Sequence, residues 1–411
     1  MTVATRGSDT ISRPSTVIRT TSTIGWGFYC AASWTWCIGM FLPLILLSRF
    51  GWPGFWTFLI PNVVGCVAFG YVFDRESSRR FATNHALAIR WFGAATIAFQ
   101  IFFLGWSAGA YIYAPDASAS GNAAVSGAVA DLLTWPVLGT ILTWTAGAVA
   151  LAGRGDLFWR WFATAVIATG IAFLGIAISR TSGPPAANGT ETGMSLLAAA
   201  PIVVLGFLAN PALDATFHRA RQQTPSRHAF AVFGIAFTAM IVFAAWVFDR
   251  SSPDRIAAVL LPLVVAQWTV QLVFTIGAHV REVGLLPGSR LGPAMLILLA
   301  VLVGGVAGLP WLAGESTYLA FLGLYAIPFP MYVVASAVAG RRPLAPGSGI
   351  LVMATSMLAS PLAWFGFVDN RTMLLLPAVG ITVIVGWVIG RRSRALPPPE
   401  ADSRAGSSAT A

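Results

Sequence analysis

The chain has no lysine; all 25 of its basic residues are arginine. Charge of either sign is scarce, at 10% of residues against about 25% in soluble globular chains. So little charge cannot cover the surface of a water-soluble domain of this length. Cysteine is scarce too. Cys30, Cys37 and Cys66 lie in apolar stretches without metal-ligand spacing and read as packing residues. Ionisable residues are missing from the middle of the apolar runs, and all four histidines fall at or beside polar segments. Proton relays normally use intramembrane ionisable groups, so their absence argues against a buried carboxylate that carries protons. The net charge of +10 does not imply nucleic acid, because the arginines are scattered in short segments between apolar runs.

What is present is apolar surface, 56% of the chain. Runs of about 20 residues or more are what a bilayer core of about 30 Å requires. Twelve are expected, at 24–48, 53–73, 86–113, 132–152, 158–178, 195–213, 228–248, 255–280, 292–309, 317–339, 349–367 and 372–390. The expected fold class is therefore an all-α polytopic membrane protein with 12 transmembrane helices. Residues 1–23 and 391–411 are polar and read as disordered tails. No small-residue cleavage site follows the first run, so it is not a signal peptide. With the N-terminus inside, twenty arginines fall in inner segments and five in outer ones. That imbalance puts both termini in the cytoplasm of a cell that carries the protein in its plasma or inner membrane.

Two runs contain helix breakers at corresponding places. In the first, Pro43 lacks an N–H and crowds the carbonyl of Gly39 within Ile38-Gly39-Met40-Phe41-Leu42-Pro43. In the sixth, Pro211 does the same to Phe207, beside Gly206 and Asn210. The second and seventh runs end alike, Val72-Phe73-Asp74-Arg75 and Val247-Phe248-Asp249-Arg250. These agreements predict an inverted repeat of 24–178 on 195–339, with two helices at 349–390 appended. Paired broken helices in corresponding halves point to a transporter's binding site.

The stretch Ile38 to Pro43, followed by Gly51-Trp52-Pro53-Gly54, resembles the first-helix pattern of the amino acid–polyamine–organocation superfamily. The resemblance implies the LeuT-type fold of five plus five inverted helices, nearest to sodium:solute or nucleobase symporters. Met40 and Phe41 stand where family members carry a second glycine, a departure that bears on any amino-acid carboxylate site. A rival stretch, Gly70 to Arg80, is similar to the loop 2–3 signature of the major facilitator superfamily. It departs by one extra residue before Arg79-Arg80 and by a serine in place of glycine.

The expected function is a secondary active transporter of a small organic solute, not an enzyme. The alternatives are a facilitator-type transporter, a membrane sensor or scaffold that does not transport, and an integral membrane enzyme. Expected solute-binding residues are Trp36, Gly39, Met40, Gln100, Gly206, Asn210 and Gln267, with Gln100 and Gln267 as counterparts in the repeat. Trp34, Trp36 and Trp106 are candidates for stacking on a flat solute. Thr275 is the candidate sodium ligand, with sodium as coupling ion and no resident cofactor. Asp214 paired with Arg219 or Arg221 is the candidate inner gate. The expected partners are the lipid bilayer and the solute.

Overall fold

Leucine, alanine, valine and phenylalanine in unbroken runs leave the backbone no water to bond with, so it must pair with itself. In a computed structural model, which describes residues 16–35, 37–113, 128–180, 189–246, 260–288 and 291–396, the described elements are all helices. They are α1 (Thr16–Trp34), α2 (Cys37–Val72), α3 (Arg75–Asn84), α4 (Ala86–Ser107), α5 (Ala128–Leu151), α6 (Asp156–Arg180), α7 (Gly193–Ala209) and α8 (Ala215–Gln223). There follow α9 (Ala229–Trp246), α10 (Leu261–Leu285), α11 (Leu291–Ala307), α12 (Glu315–Ala326), α13 (Pro328–Val338), α14 (Ser348–Phe367) and α15 (Leu375–Ala395). Among the described residues, ten helical stretches are long and apolar enough to cross a membrane. Large apolar side chains also point outward, Trp135, Ile235, Ile350 and Leu358 among them. The chain is a multi-pass membrane protein.

The 36 residues of α2 are not one rod. Gly51, at φ 67° and ψ −160°, interrupts the winding in a conformation that glycine tolerates and side chains resist. Pro53 has no N–H for the carbonyl of Arg49. That oxygen instead accepts from Thr190 N–H at 2.8 Å and Glu191 N–H at 2.7 Å.

Around this turn the helices pack through small residues. α1 lies against α6, α9 and α10, and α4 lies between α10 and α11. A Cβ at Gly304 would fall on the carbonyl oxygen of Ala98, and one at Gly105 on that of Gly308. Such close backbone approach is how helices associate when apolar burial gives no advantage over lipid.

Three expectations are corrected. Helix α1 begins at Thr16, inside the stretch expected to be a disordered tail, and α15 runs on to Ala395. The segment after Asp214 is helical, not a loop. Of the stretch compared with a facilitator loop, residues 70–72 end α2 and residues 75–80 open α3. The start of α3 is capped by Asp74, whose Oδ1 accepts the Ser77 N–H at 2.6 Å while Ser77 Oγ accepts the Asp74 N–H at 2.9 Å. Its proposed counterpart, Val247 to Arg250, lies outside the described residues.

Candidate functional site

Three helices lose their winding, and they do so beside one another. The winding of α1 stops at Trp34, Thr35 forms a turn, and winding resumes at Cys37. The interruption thus precedes Gly39, and the Gly39–Pro43 stretch expected to be unwound is helical. Pro43 costs this helix one hydrogen bond. Packing compensates: a Cβ at Gly39 would lie 3.2 Å from Ile241 and 3.3 Å from Phe237 of α9, so glycine lets α9 approach closely. Trp36 and the side chain of Met40 lie outside the described residues.

The second interruption falls where it was expected. After Ala209 the chain tightens into a 3₁₀ turn, Asn210–Leu213, and Asp214 extends at φ −84° and ψ 115° before α8. Asp214 caps α8, its Oδ1 accepting from the N–H and the hydroxyl of Thr216, both at 2.7 Å. Ser33, near the end of α1, shares a 2.8 Å hydrogen bond with the Thr216 hydroxyl. The first two interruptions are thereby tied together.

Sequence reasoning missed the third, between α12 and α13, where Ile327 sits at φ −123° and ψ −74°. The signal was there: Pro328 and Pro330 remove two N–H donors within three residues. Asn210 Nδ2 donates to the Tyr325 carbonyl oxygen at 2.8 Å.

Two small cavities share Ile38, Phe207, Asn210 and Tyr325 as walls. The first, about 30 Å³, has Ser33, Gln100, Asn210 and Asp214 on its polar side and Trp34 and Phe99 on its apolar side. The second, about 50 Å³, is lined by Gly206 and by aliphatic side chains including Leu42, Ile202 and Leu319. These volumes suit one or two waters. Pockets for organic ligands run to about 300 Å³ or more, so both cavities are too small for an organic solute. Three buried oxygens on the polar side, Gln100 Oε1, Asn210 Oδ1 and Asp214 Oδ2, lack a hydrogen-bond partner.

Two clusters of ion pairs tie helix ends together. On one side Arg49 donates to Glu315 Oε1 at 2.8 Å, to Asn370 Oδ1 at 2.9 Å and to the Phe367 carbonyl at 2.5 Å. On the other, Asp156 binds Arg219 at 2.8 Å and also Arg281. The expected Asp214 gate is therefore not formed. Arg219 pairs with Asp156 and Arg221 donates to the Phe73 carbonyl at 2.6 Å, whereas Asp214, 0% exposed, is turned inward. Five residues along a helix Arg219 lies on a different face from the cap.

Helix α10 presents Gln267, Gln271, Thr275, His279 and Glu282, all buried, along one face. Gln271 Nε2 donates to the Ala32 carbonyl, and the Thr275 hydroxyl lies 3.2 Å from that same oxygen and 3.0 Å from the Gln271 carbonyl. These contacts satisfy an orphan carbonyl at the end of α1. The Thr275 hydroxyl hydrogen thus points at the carbonyls a cation would need as partners. Gln267 faces α6, donating to the Val166 carbonyl at 3.3 Å, so it is not brought together with Gln100. Asp214 and His279 are buried, 0% and 1% exposed, although Asp214 follows the apolar stretch Gly193–Leu213 and His279 stands near the end of Leu261–Leu285. Their place near polar segments hid them. Among the described residues no group of three or more His, Cys, Asp or Glu is arranged to hold a metal ion. Comparison with family models and with curated proteins returned no match.

Proposed function

We propose that the protein is a secondary transporter that moves a small organic solute by alternating access around the junction of its interrupted helices. The observation that carries this reading is that three broken helices converge on one small cavity whose buried oxygens are short of donors. Non-helical backbone at membrane depth is tolerated where it lines a cavity, and half-helix ends are the usual solute contacts of transporters.

In this reading the two parts of α2 belong to separate spans and α11 is also a span, which makes twelve. α1 joins the first part of α2, α7 joins α8, and α12 joins α13. The packing supports a five-plus-five repeat. The fourth span on the eighth (α5 on α10) is matched by the ninth on the third (α11 on α4). The first on the fifth (α1 on α6) is matched by the sixth on the tenth (α7 on α12 and α13). The first on the seventh (α1 on α9) is matched by the sixth on the second (α7 on α2). A six-plus-six repeat, as in the facilitator superfamily, would pair α5 on α10 with α12 or α13 along the second part of α2. That is not a principal packing of this fold. The pattern agrees with the LeuT-type resemblance. The arginine distribution supports cytoplasmic termini and a plasma or inner membrane.

The test is uptake by proteoliposomes from a panel of small solutes, with a sodium gradient and with a proton gradient in separate arms. Saturable flux of at least one solute is expected. Absence of flux together with absence of ligand-induced thermal stabilisation overturns the reading. Stabilisation without flux selects the sensor alternative.

A further inference from the structure

We infer that Asp214 and His279 together hold one exchangeable proton, and that this proton is the coupling ion of the transport reaction. The second half of this statement rests on the transporter reading; the first does not.

The argument starts from two facing atoms. Asp214 Oδ2 and His279 Nε2 lie 3.6 Å apart, in side chains 0% and 1% exposed, and neither atom has a hydrogen-bond partner. The rest of each side chain is already committed. Asp214 Oδ1 is taken by Thr216. His279 Nδ1 lies 2.9 Å from the Thr275 carbonyl, which only accepts, so Nδ1 carries a hydrogen. In a neutral ring Nε2 is then a bare lone pair. A carboxylate oxygen and a nitrogen lone pair therefore confront each other away from water. A single proton between them satisfies both at once, as a carboxyl donating to the ring or as an imidazolium donating to the carboxylate. Burying either group without a partner is costly. The pair is thus built to take up one proton.

Its position makes that proton consequential. Asp214 caps α8 at the second interruption, lines the first cavity and is joined through Thr216 to Ser33 of α1. His279 belongs to α10, whose Gln271 and Thr275 bind the end of α1. Binding the proton changes the charge where broken helices meet an unbroken one. That is where a rocking motion must break and remake contacts.

One further buried acid lies close by on the same helix. Glu282 lies three residues beyond His279 on α10, one turn away. It accepts from Tyr29 at 3.1 Å and from Arg281 at 2.7 Å. Arg281 also bonds Asp156, 30% exposed. The other titratable groups within electrostatic reach of Asp214 are Cys30 of α1, Cys66 of α2, His218 of α8 and Tyr325 of α12. His279 also feels Glu282. The proton enters from water on one side and leaves to water on the other, and no bond of the solute changes.

Infrared difference titration of the purified full-length protein between about pH 5 and 9 tests the proton site without any solute. The expected result is one carboxyl–imidazole transition in the wild type, lost in both Asp214→Asn and His279→Gln. Both substitutions are near-isosteric, and a melting curve shows whether each variant folds. If neither folds, isotope-labelled histidine in a chain with His85, His218 and His228 each replaced by Gln reads the same proton directly. A transition unchanged in both folded variants, or no histidine titration in the labelled chain, overturns the inference. So does solute uptake that follows a sodium gradient and ignores a proton gradient, which would leave the transporter reading standing. A titration at the pair with no flux of any solute would instead keep the proton site and remove transport.

Discussion

Asn210 and Tyr325 join two broken helices: the Asn210 amide donates to the Tyr325 carbonyl oxygen across 2.8 Å, both residues being buried. Asn210→Leu leaves that carbonyl unpaired away from water. The expected cost is about 1–3 kcal/mol, read as a lower melting temperature in detergent, with solute uptake falling as well. A variant that melts with the wild type would show that the contact does not hold the junction.

Arg49 bonds Glu315, Asn370 and the Phe367 carbonyl, and in the transporter reading it closes one mouth. Arg49→Ala removes three charge-assisted or polar contacts at once. A loss of even about 1.4 kcal/mol shifts a two-state balance tenfold. Cys37 is a free, buried thiol on the wall of the first cavity. Its labelling by a membrane-impermeant thiol reagent from that side is expected to rise about tenfold. An unchanged rate would place the barrier elsewhere.

Asp156 serves two arginines at the opposite mouth, Arg219 and Arg281. Asp156→Asn leaves both cations without their carboxylate. The group is part-exposed, so solvent screening limits the cost to about 1–2 kcal/mol. The labelling of Cys37 from this side is the direct measurement, and it should increase while labelling from the Arg49 side does not.

Gly304 and Gly305 are adjacent in α11 but face different surroundings. A Cβ at Gly304 strikes the Ala98 backbone, whereas one at Gly305 meets nothing within 4 Å. Gly304→Val is expected to lower stability by about 1–3 kcal/mol through overpacking. Gly305→Ala should be neutral or stabilising by up to about 1 kcal/mol through helix propensity. Paired melting curves decide, and equal effects would mean that α4 and α11 do not pack as described.

His85 lies in the turn between α3 and α4, bonded to Tyr332 at 3.0 Å and Ser336 at 3.3 Å. Burial pushes its pKa down to about 4 from 6.5. The unfolded chain therefore binds a proton more readily than the folded one between those values. The corresponding stability is complete above about pH 6.5 and is lost as the pH falls towards 4, on the order of 2–3 kcal/mol in all. The difference between the wild type and His85→Gln in melting temperature should shrink with acid over that window. A constant difference would mean that His85 is not buried as a neutral ring.

Part of the site could be read from the residues alone. Gly206 and Asn210 were found because Pro211 removes a hydrogen bond beside them, and both line the second cavity. Gln100 was found as a rare polar residue in an apolar run, and it lines the first cavity with Asn210. The Asp214–Arg219 pairing was wrong because an acid and a base close in sequence look like partners until a helix carries them to different faces. The break at Ile327 was overlooked although Pro328 and Pro330 announced it.

The sequence by itself determined that the chain enters a membrane and which carbonyls lose a donor to proline. These follow from composition summed over a window and from the chemistry of single residues. Only the tertiary structure decided that the helix survives at Pro43 and gives way at Pro211, and that Asp214 and His279 face each other away from water. A missing hydrogen bond is made good, or not, by groups distant in the chain, and no window along the sequence contains both partners.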